Sequence, residues 1–302
     1  MPKIVVIGGA NVDIKGRTSG PAIMGTSNPG TASVSAGGVG RNIAHNLALL
    51  GLDVALVAMV GTDANAKVIE QQSRAAGIDT SLLQTIDGPS GTYLALLAQD
   101  GELISAINAM GCADAMTPAM LQVVSNSLAA ADFLVADCNI PVACLAWLSA
   151  FAVHEGKRLL IEPVSVPKVD KLKRIPDLHA FAITPNRDQL LALTGTRDVA
   201  EAARTIHAMG LANCMILAGA EGAYVSIGGE APTQVNARPI APVSDVTGAG
   251  DAAVAGLVWG LVSGYDMVQS ARFGQAAAAL KLASAQSVAE GLSAQRLLAL
   301  AN

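Results

Sequence analysis

An aspartate in a glycine-rich turn is the residue of this sequence best suited to chemistry. Asp251 closes the turn at 245–251, and the small apolar residues after it predict the start of a helix. The first amides of a helix and the positive end of its dipole favour an anion. A carboxylate beside a bound phosphate is unfavourable unless it acts as a base, so we predict that Asp251 takes a proton from an attacking hydroxyl. The amides predicted to hold the transferring phosphoryl group are those of Gly248, Ala249 and Gly250.

Two other interpretations of this turn stay open on these residues alone. Gly248, Gly250 and Ala253 also fit a relaxed dinucleotide-binding pattern. That pattern is weakened by its place late in the chain and by residues 239–242, whose two prolines make a poor central strand. The turn can also be a plain helix start with packing glycines and capping aspartates. A P-loop is excluded, because the sequence contains no G-x-x-x-x-G-K-[ST] string.

Composition indicates a compact α/β enzyme. The 302 residues are 52% hydrophobic and 14% charged, which is enough for a large core and excludes general disorder. A net charge of −5 without a basic cluster argues against nucleic-acid binding. No apolar run has membrane-spanning length, and the N-terminus predicts a short strand rather than a signal peptide. The four cysteines lack metal-binding spacing, so we expect reduced thiols, a cytoplasmic protein and no structural metal.

Short apolar runs alternate with helical periodicity, which predicts a mostly parallel central sheet flanked by helices. The predicted strands are residues 4–8, 54–60, 133–136, 159–162, 180–183 and 215–217. The predicted helices are residues 40–50, 64–76, 118–130, 141–155, 189–194, 199–209, 251–263 and 267–284. Segments 15–35 and 90–110 break the alternation, and the second contains an Asp-Gly hairpin turn. We expect these two segments to form a small β-sheet lid.

A second group of polar residues follows the first predicted strand. Asn11 and Asp13 come at the sheet edge where α/β proteins bind ligands. Their amide and carboxylate suit vicinal sugar hydroxyls, although the same residues also suit a capped turn. The glycine-rich stretch 36–42 then enters a helix, which lets backbone approach a ligand closely. A glycine cluster alone is equally compatible with a plain loop.

Taken together, stretches 37–42 and 245–251 resemble the two signature motifs of the PfkB, or ribokinase-like, family of carbohydrate and nucleoside kinases. The resemblance spans nearly the whole chain and implies a single kinase domain over residues 1–302. The stretches most similar to members that phosphorylate the C-nucleoside pseudouridine are 27–30, 37–50, 136–140 and 163–165. The implied reaction transfers a phosphoryl group from ATP, with Mg²⁺, to the 5′-hydroxyl of pseudouridine. The implied assembly is a homodimer formed through the lid.

The resemblance also implies roles for individual residues, with Asp251 as the base. The implied sugar-binding residues are Asn11, Asp13, Gly37, Gly38 and Asn42, with Asp13 on the 2′- and 3′-hydroxyls. The candidates for reading the base, of which we expect only a few to touch it, are Ser27, Asn28, Thr92, Asn108, Asn139 and Lys168. The implied ATP-binding residues are Asn186, Gln189, Gly219, Gly222, Thr247 and Gln275.

Metal binding departs from the family pattern. The resemblance implies no direct protein ligand for magnesium, with Asn186 contacting the ion through water. The family usually has glutamate where this chain has Gln189, so we expect magnesium handling to be weaker, or shared with Asp188 or Glu162.

A monovalent-cation site is matched at Asp245 and Thr247. The family's other cation-binding residues have no clear counterpart in residues 280–291, which leaves potassium activation open. Three other functions also stay open. They are a PfkB-type kinase for ribose, adenosine or a purine nucleoside, a non-catalytic nucleoside sensor, and, more distantly, a nicotinamide-dependent enzyme.

Overall fold

The computed structural model describes residues 2–238, 243–289 and 291–301, so the proline-containing stretch 239–242 lies outside the described residues. The strands are β1 (Lys3–Ile7), β2 (Asn11–Thr18), β3 (Gly30–Gly37), β4 (Asp53–Val57), β5 (Met59–Val60), β6 (Gln84–Thr85), β7 (Gly91–Leu97), β8 (Leu103–Ala109), β9 (Phe133–Asp137), β10 (Leu159–Glu162), β11 (Ala180–Ile183), β12 (Leu211–Leu217), β13 (Ala223–Ile227) and β14 (Thr233–Val235). The helices are α1 (Val39–Leu49), α2 (Ala64–Ala75), α3 (Gly111–Asp114), α4 (Pro118–Val123), α5 (Ser125–Ala129), α6 (Val142–His154), α7 (Val166–Val169), α8 (Arg187–Thr194), α9 (Val199–Ala208), α10 (Ala249–Val262), α11 (Met267–Leu282) and α12 (Ala294–Ala301).

The central sheet has eight strands in the order β14-β13-β12-β11-β10-β9-β1-β4. Strands β4, β1, β9, β10, β11 and β12 are parallel, whereas β13 and β14 run antiparallel at one edge. Parallel strands covered by helices on both faces are apolar throughout, as in β1, where residues 4–7 have no solvent exposure. The predicted α/β architecture is confirmed, and the carboxyl ends of the parallel strands meet at one edge.

Helices α10 and α11 pack closely because of their small residues. A Cβ at Gly256 would lie 2.5 Å from the carbonyl oxygen of Phe273, so only glycine permits this approach. Helix α1 packs beside α10 with Ile43 and Leu47 fully buried. None of the helices in the described stretches has the length and hydrophobicity needed to cross a bilayer.

The lid is a separate four-stranded sheet in the order β3-β2-β7-β8. Three residues separate the end of β1 from the start of β2, so the lid continues directly from the central sheet. Asn11 and Asp13 therefore lie in the first lid strand and not at the end of β1. Successive side chains of a strand point to opposite faces, and the odd-numbered residues from Asn11 to Arg17 line a cavity under the lid.

Several elements differ from the sequence-based expectation. The predicted strand 54–60 is divided into β4 and β5, and the predicted helix 118–130 is divided into α4 and α5 around Val124. Strands β6, β13 and β14 and helix α12 were not predicted. These strands are two to five residues long and make few period-two repeats, so their hydrophobic pattern is too short to distinguish them from loops.

Candidate active site

The first turn of α10 forms the wall between two cavities. Gly248 precedes the helix with φ 85°, and a Cβ there would lie 2.0 Å from the carbonyl oxygen of Ser287. This left-handed conformation favours glycine and directs the chain into the helix. Gly248 and Asp251 line a cavity of about 860 Å³ under the lid. Ala249 and Gly250 line a cavity of about 320 Å³ on the other side. The predicted catalytic turn thus faces both cavities, which we call the acceptor cavity and the nucleotide cavity.

The amides of this turn are not equivalent. The first N–H groups of a helix have no partner within it. In this structure the amide of Ala249 is directed back to the carbonyl of Val246 at 3.3 Å, so its part in the predicted anion hole requires a small rotation of the turn. The amide of Ala252 already closes the helix on the Gly248 carbonyl at 3.0 Å. The anion hole stays a prediction.

Asp251 is a buried carboxyl group with one direct side-chain partner. Its residue is 8% exposed, and the Asn42 Nδ2 donates to its Oδ2 at 3.0 Å. Burial raises the pKa of Asp251 to about 7; the Asn42 bond opposes the rise and the carboxyl of Asp137 adds to it. A carboxyl group with a pKa near neutrality suits general-base catalysis at physiological pH.

Two further buried carboxyl groups surround Asp251, namely Asp137 and Glu162. Burial, followed by the charges of Asp251 and Asp137, raises the pKa of Glu162 well above its usual range. Burial also raises the pKa of Asp137, against four hydrogen bonds that favour its charged form. Acidic groups near one another in a dry site disfavour simultaneous ionisation. The charge of Asp137 therefore adds to burial in keeping Asp251 partly protonated near pH 7.

Asp137 holds the floor of the acceptor cavity together. Its carboxylate accepts hydrogen bonds from the backbone amides of Gly9 at 2.8 Å, Gly40 at 2.7 Å and Asn139 at 2.8 Å. These residues follow β1, belong to the start of α1 and follow β9. Glycine is required beside this carboxylate, because a Cβ at Gly8 would lie 2.4 Å from Asp137 Oδ2.

Asn11 and Asp13, two of the predicted sugar-binding residues, lie together in the wall of the acceptor cavity. The Nδ2 of Asn11 donates to Asp13 Oδ1 at 2.6 Å. Burial raises the pKa of Asp13, opposed by this bond and by the charges of Lys15 and Arg41. Gly37 must lack a side chain, because its Cβ would lie 2.4 Å from the Asp13 carboxylate.

Gly38, with φ 99°, packs against the Gly9 carbonyl and lines the same cavity as Asn42. The five predicted sugar-binding residues therefore lie around one point. Their contacts with a sugar stay a prediction.

These five residues form what we call the sugar cradle. A smaller cavity of about 160 Å³ opens beside it. Three of the predicted base-reading residues line it, namely Asn108, Asn139 and Lys168. The Nζ of Lys168 donates to Asn139 Oδ1. Lys171 donates to the carbonyls of residues 138–140, which fixes the loop that carries Asn139. We call this pocket the base cavity.

The wall of the base cavity contains a strained turn. Val164 has φ 68°, an unusual conformation for a β-branched residue. The amide of Ser165 donates to the Pro163 carbonyl at 2.8 Å, which closes a γ-turn around Val164. The carboxylate of Glu162 accepts from the Val164 amide at 2.7 Å and supports the turn. Lys168 follows in the short helix α7 and is positioned by this turn.

The other three candidates for base reading do not line the acceptor, base or nucleotide cavity as these are formed by the described residues. Ser27 and Asn28 lie in the loop between β2 and β3, where the Asn28 carboxamide binds the backbone of Ile23. The Thr92 hydroxyl accepts from Asn65 Nδ2 at 3.1 Å, on the strand face opposite Tyr93, which lines the acceptor cavity. Strand alternation explains this difference.

The nucleotide cavity contains most of the predicted ATP-binding residues. Gly219, Gly222, Asn186 and Gln275 line it together with small apolar side chains of α10 and α11. A Cβ at Gly222 would lie 2.0 Å from the Val235 carbonyl, so the turn needs glycine. Thr247 differs from the prediction, because it lines the acceptor cavity instead.

The residues predicted to help with magnesium are engaged elsewhere. Asn186 Oδ1 accepts from the amides of Asp188 and Gln189, and Gln189 Oε1 accepts from the Asn186 amide at 2.8 Å. This reciprocal capping box begins α8 and uses the oxygens expected to face metal-bound water. Asp188 is paired with Arg197 at 3.1 Å. Within residues 2–238, 243–289 and 291–301, no group of three acidic, histidine or cysteine side chains is arranged for a metal ion.

Sequence reasoning missed the cations under the lid. Lys15 and Arg17 line the acceptor cavity on the same strand as Asn11 and Asp13. The signal was present, because residues 11, 13, 15 and 17 alternate along one strand and share a face. Strand β2 thus presents the predicted sugar-binding groups at its start and positive charge farther along.

Comparisons with known proteins agree with this geometry. The pfkB family of carbohydrate kinases matches residues 1–292. Pseudouridine kinase of Escherichia coli (strain K12) is 36% identical over 291 residues, which cover 92% of this chain and 90% of that protein. A carbohydrate kinase from Agrobacterium tumefaciens aligns with a TM-score of 0.89 and 32% identity over 100% of this chain and 97% of that one. Arabidopsis thaliana ribokinase, complexed with ribose and ATP, aligns with a TM-score of 0.83 and 24% identity over 100% and 99%. The fold is ribokinase-like.

The raised pKa of Asp251 predicts a pH-dependent cost to stability. A carboxyl group with a pKa of about 7 in the folded state and 3.8 as its ordinary value destabilises the fold once it ionises. Asp251→Asn should therefore raise the free energy of unfolding at pH 8, by up to about 4 kcal/mol. The gain should shrink as pH falls from 7 toward 4.

Urea denaturation at pH 8 and pH 5 measures this difference. The exposed Asp53→Asn is the control and should change stability equally at both pH values. An Asp251→Asn effect that is the same at pH 5 and pH 8 would contradict the predicted ionisation.

Proposed function

The chain belongs to the pfkB family of carbohydrate kinases and is an ATP-dependent sugar or nucleoside kinase, and we propose that it phosphorylates the 5′-hydroxyl of pseudouridine. The observation that carries this proposal is the first turn of α10, which separates the acceptor cavity from the nucleotide cavity. Because the chain belongs to a kinase family, two alternatives from the sequence analysis are set aside. They are a non-catalytic sensor and a nicotinamide-dependent enzyme. A kinase for another ribosyl substrate is the alternative that the experiments below address.

The proposed mechanism needs a base and an anion hole on opposite faces of one turn. Asp251 accepts the proton of the 5′-hydroxyl as the oxygen attacks, and Asn42 orients the carboxylate. The amides of Gly248, Ala249 and Gly250 stabilise the charge on the transferring group. When bound, ATP supplies the γ-phosphoryl group and Mg²⁺ screens its phosphate oxygens. The side-chain oxygens of Asn186 and Gln189 are engaged in the cap of α8, so neither residue would hold the metal directly in this arrangement.

The lid completes the proposed site. Asn11 and Asp13 bind the ribose hydroxyls, and Lys15 brings positive charge toward the phosphates. Closing the lid excludes water, which would otherwise compete with the nucleoside as phosphoryl acceptor. The Gly219 turn, the Gly222 turn and Gln275 enclose the ATP in the nucleotide cavity.

The base cavity supports pseudouridine within the class of ribosyl substrates. Pseudouridine joins uracil to ribose through carbon, which leaves a second ring N–H that uridine lacks. The carboxamides of Asn108 and Asn139 supply acceptors for ring N–H groups, and Lys168 supplies a donor for a carbonyl. A site built to hydrogen-bond a substrate group discriminates strongly against an analogue without it.

We also propose that the enzyme is a cytoplasmic homodimer assembled through the lid. One row of side chains crosses all four lid strands, as Val34 pairs with Ile14, Ile14 with Leu94, and Leu94 with Ile107. Val34, Leu94 and Ile107 are 50%, 43% and 63% exposed, which is unusual for a row of large apolar residues. Each of the four cysteines is a buried free thiol, as suits a reducing compartment.

The dimer predicts that Ile107→Asp gives a monomer, because a charge in an apolar interface lacks a partner. Light scattering after size-exclusion chromatography measures the mass. Val123→Asp, at an apolar position in α4 that is 82% exposed and lies outside the lid, is the matched control and should leave the dimer intact. A monomeric unmodified protein at micromolar concentration would contradict the proposed assembly.

Loss of the base predicts a large loss of turnover. Asp251→Asn should lower kcat at least ~10²-fold, with nucleoside affinity nearly unchanged, because the amide cannot accept the proton. For the unmodified enzyme, kcat/KM should fall as pH drops below about 7, since protonation removes the base. Steady-state kinetics from pH 5.5 to 9 and calorimetric nucleoside binding measure both effects. A variant that retains most of its turnover would remove Asp251 from the mechanism.

The substrate proposal predicts a clear order among nucleosides. With coupled ADP detection, kcat/KM for pseudouridine should exceed that for uridine, ribose and adenosine by at least about tenfold, because only pseudouridine matches the polar groups of the base cavity. A higher value for ribose or a purine nucleoside would favour the alternative substrate.

The variant Lys168→Met refines this test. It should lower kcat/KM for pseudouridine and leave the weak ribose reaction unchanged, since ribose has no base. Lys173→Met, five residues away and paired with exposed Asp170, is the matched control. Equal losses for both substrates in Lys168→Met would remove the residue from base recognition.

A further inference from the structure

A buried lysine joins the loops on either side of the catalytic turn. Lys281 lies near the end of α11 and has no solvent exposure. Its Nζ donates to the backbone carbonyls of Asp245 at 2.7 Å and Ser284 at 3.2 Å. Two carbonyl oxygens from segments 39 residues apart therefore meet at one positive charge.

This arrangement goes beyond the usual capping of a helix. A lysine that caps its own helix binds the last carbonyls of that helix. Here Ser284 lies after the end of α11, and Asp245 precedes the catalytic turn. Burial lowers the pKa of Lys281, and the charge of Asp245 opposes this change. A buried ammonium is costly unless hydrogen bonds and opposite charge compensate it, so its retention beside the active site needs a reason.

Both segments that Lys281 joins contact the turn before α10. Asp245 Oδ1 accepts from the Thr247 amide at 2.9 Å and shapes the turn. The Ser287 carbonyl lies against Gly248 and leaves no room for a Cβ. The amide of Ser244 donates to the Leu282 carbonyl at 2.7 Å and closes the same junction. Moving Lys281 would therefore move the amides proposed to hold the phosphoryl group.

The resemblance to the family implied a monovalent cation at Asp245 and Thr247, and these residues do not fit one here. The Asp245 carbonyl oxygen is already bound by the Lys281 ammonium, and its carboxylate is bound to the Thr247 amide. A second cation at this carbonyl would meet the repulsion of a neighbouring ammonium. The carbonyl oxygen that would bind a free cation is thus already bound by the charged side chain of Lys281.

We propose that the Lys281 ammonium is a tethered cation that replaces a free potassium ion, so that this kinase needs no monovalent cation. The ammonium draws the carbonyls of Asp245 and Ser284 together and holds the turn at 245–248 in position. Lys281 is a positioning residue, since it acts through this turn and touches neither cavity. The proposal depends on kinase activity and not on the identity of the nucleoside.

The test measures cation dependence in the full-length enzyme and in Lys281→Met, which keeps the length of the side chain and removes its charge. The unmodified enzyme should turn over within about twofold in potassium chloride and in tetramethylammonium chloride. Lys281→Met should lose more than about tenfold in tetramethylammonium and recover most of this loss in potassium or ammonium. Lys157→Met is the matched control, because Lys157 donates to the Ala131 carbonyl far from the turn, and its cation response should not change.

Thermal unfolding without substrate gives a second readout. Potassium should raise the Tm of Lys281→Met by about 2–4 °C over tetramethylammonium and leave that of the unmodified enzyme unchanged.

Strong potassium activation of the unmodified enzyme would overturn the proposal, and this result does not depend on the variant folding. A Lys281→Met enzyme that is equally slow in every salt would also overturn it, because the role would then be purely structural. Failure of pseudouridine as substrate would leave the Tm readout intact, and the preferred substrate from the panel would replace it in the assay.

Discussion

The buried carboxylate of Asp137 is the constraint on which the rest of the site depends. It binds the amides of Gly9, Gly40 and Asn139, which belong to three segments separated in sequence. The first segment leads into the lid, the second begins α1, which carries Asn42, and the third leads to the base cavity. Each of these buried amides would otherwise lack a partner, at a cost of about 1–3 kcal/mol. One acidic side chain therefore fixes the relative position of the sugar cradle, the orienting group of Asp251 and the wall of the base cavity.

The chemistry follows from how charge is arranged around that anchor. Acidic groups are concentrated on the floor, in Asp137, Glu162 and Asp251, whereas positive charge comes from the lid and from Lys281. Burial raises the pKa of Asp251 to about 7, which is the proton affinity that its proposed role as a base needs. The predicted cost is lower stability at alkaline pH. Burying an ionisable carboxyl group in the active site thus lowers the free energy of unfolding in exchange for reactivity, as is common for enzymes.

How much of this structure the sequence predicted depends on how far apart in sequence the interacting residues are. The six parallel strands and the glycine turn at 245–251 were predictable, because their signals are local: apolar runs, turn residues and helix starts. The position of Thr92 on the face of β7 opposite Tyr93 was not predictable, since a strand shows its period in sequence but not which face meets the cavity. The capping role of Gln189 was overlooked, although its spacing from Asn186 already fits a capping box. Lys281 was not recognised, because its acceptor Asp245 lies 36 residues earlier and only the folded chain brings them together.

The γ-turn at Val164 has a consequence for the evolution of this enzyme. A valine held at φ 68° costs of the order of 1–3 kcal/mol, and a glycine there would relieve it. Residues 163–168 form this turn and α7, and they share no position with the catalytic loop or the nucleotide cavity. Under the proposed function, mutations in this segment would act first on which nucleobases are accepted, and Glu162, whose carboxyl group accepts from the Val164 amide, is the link from this turn to Asp251. Divergence in substrate preference among related enzymes is therefore expected to concentrate in this short segment.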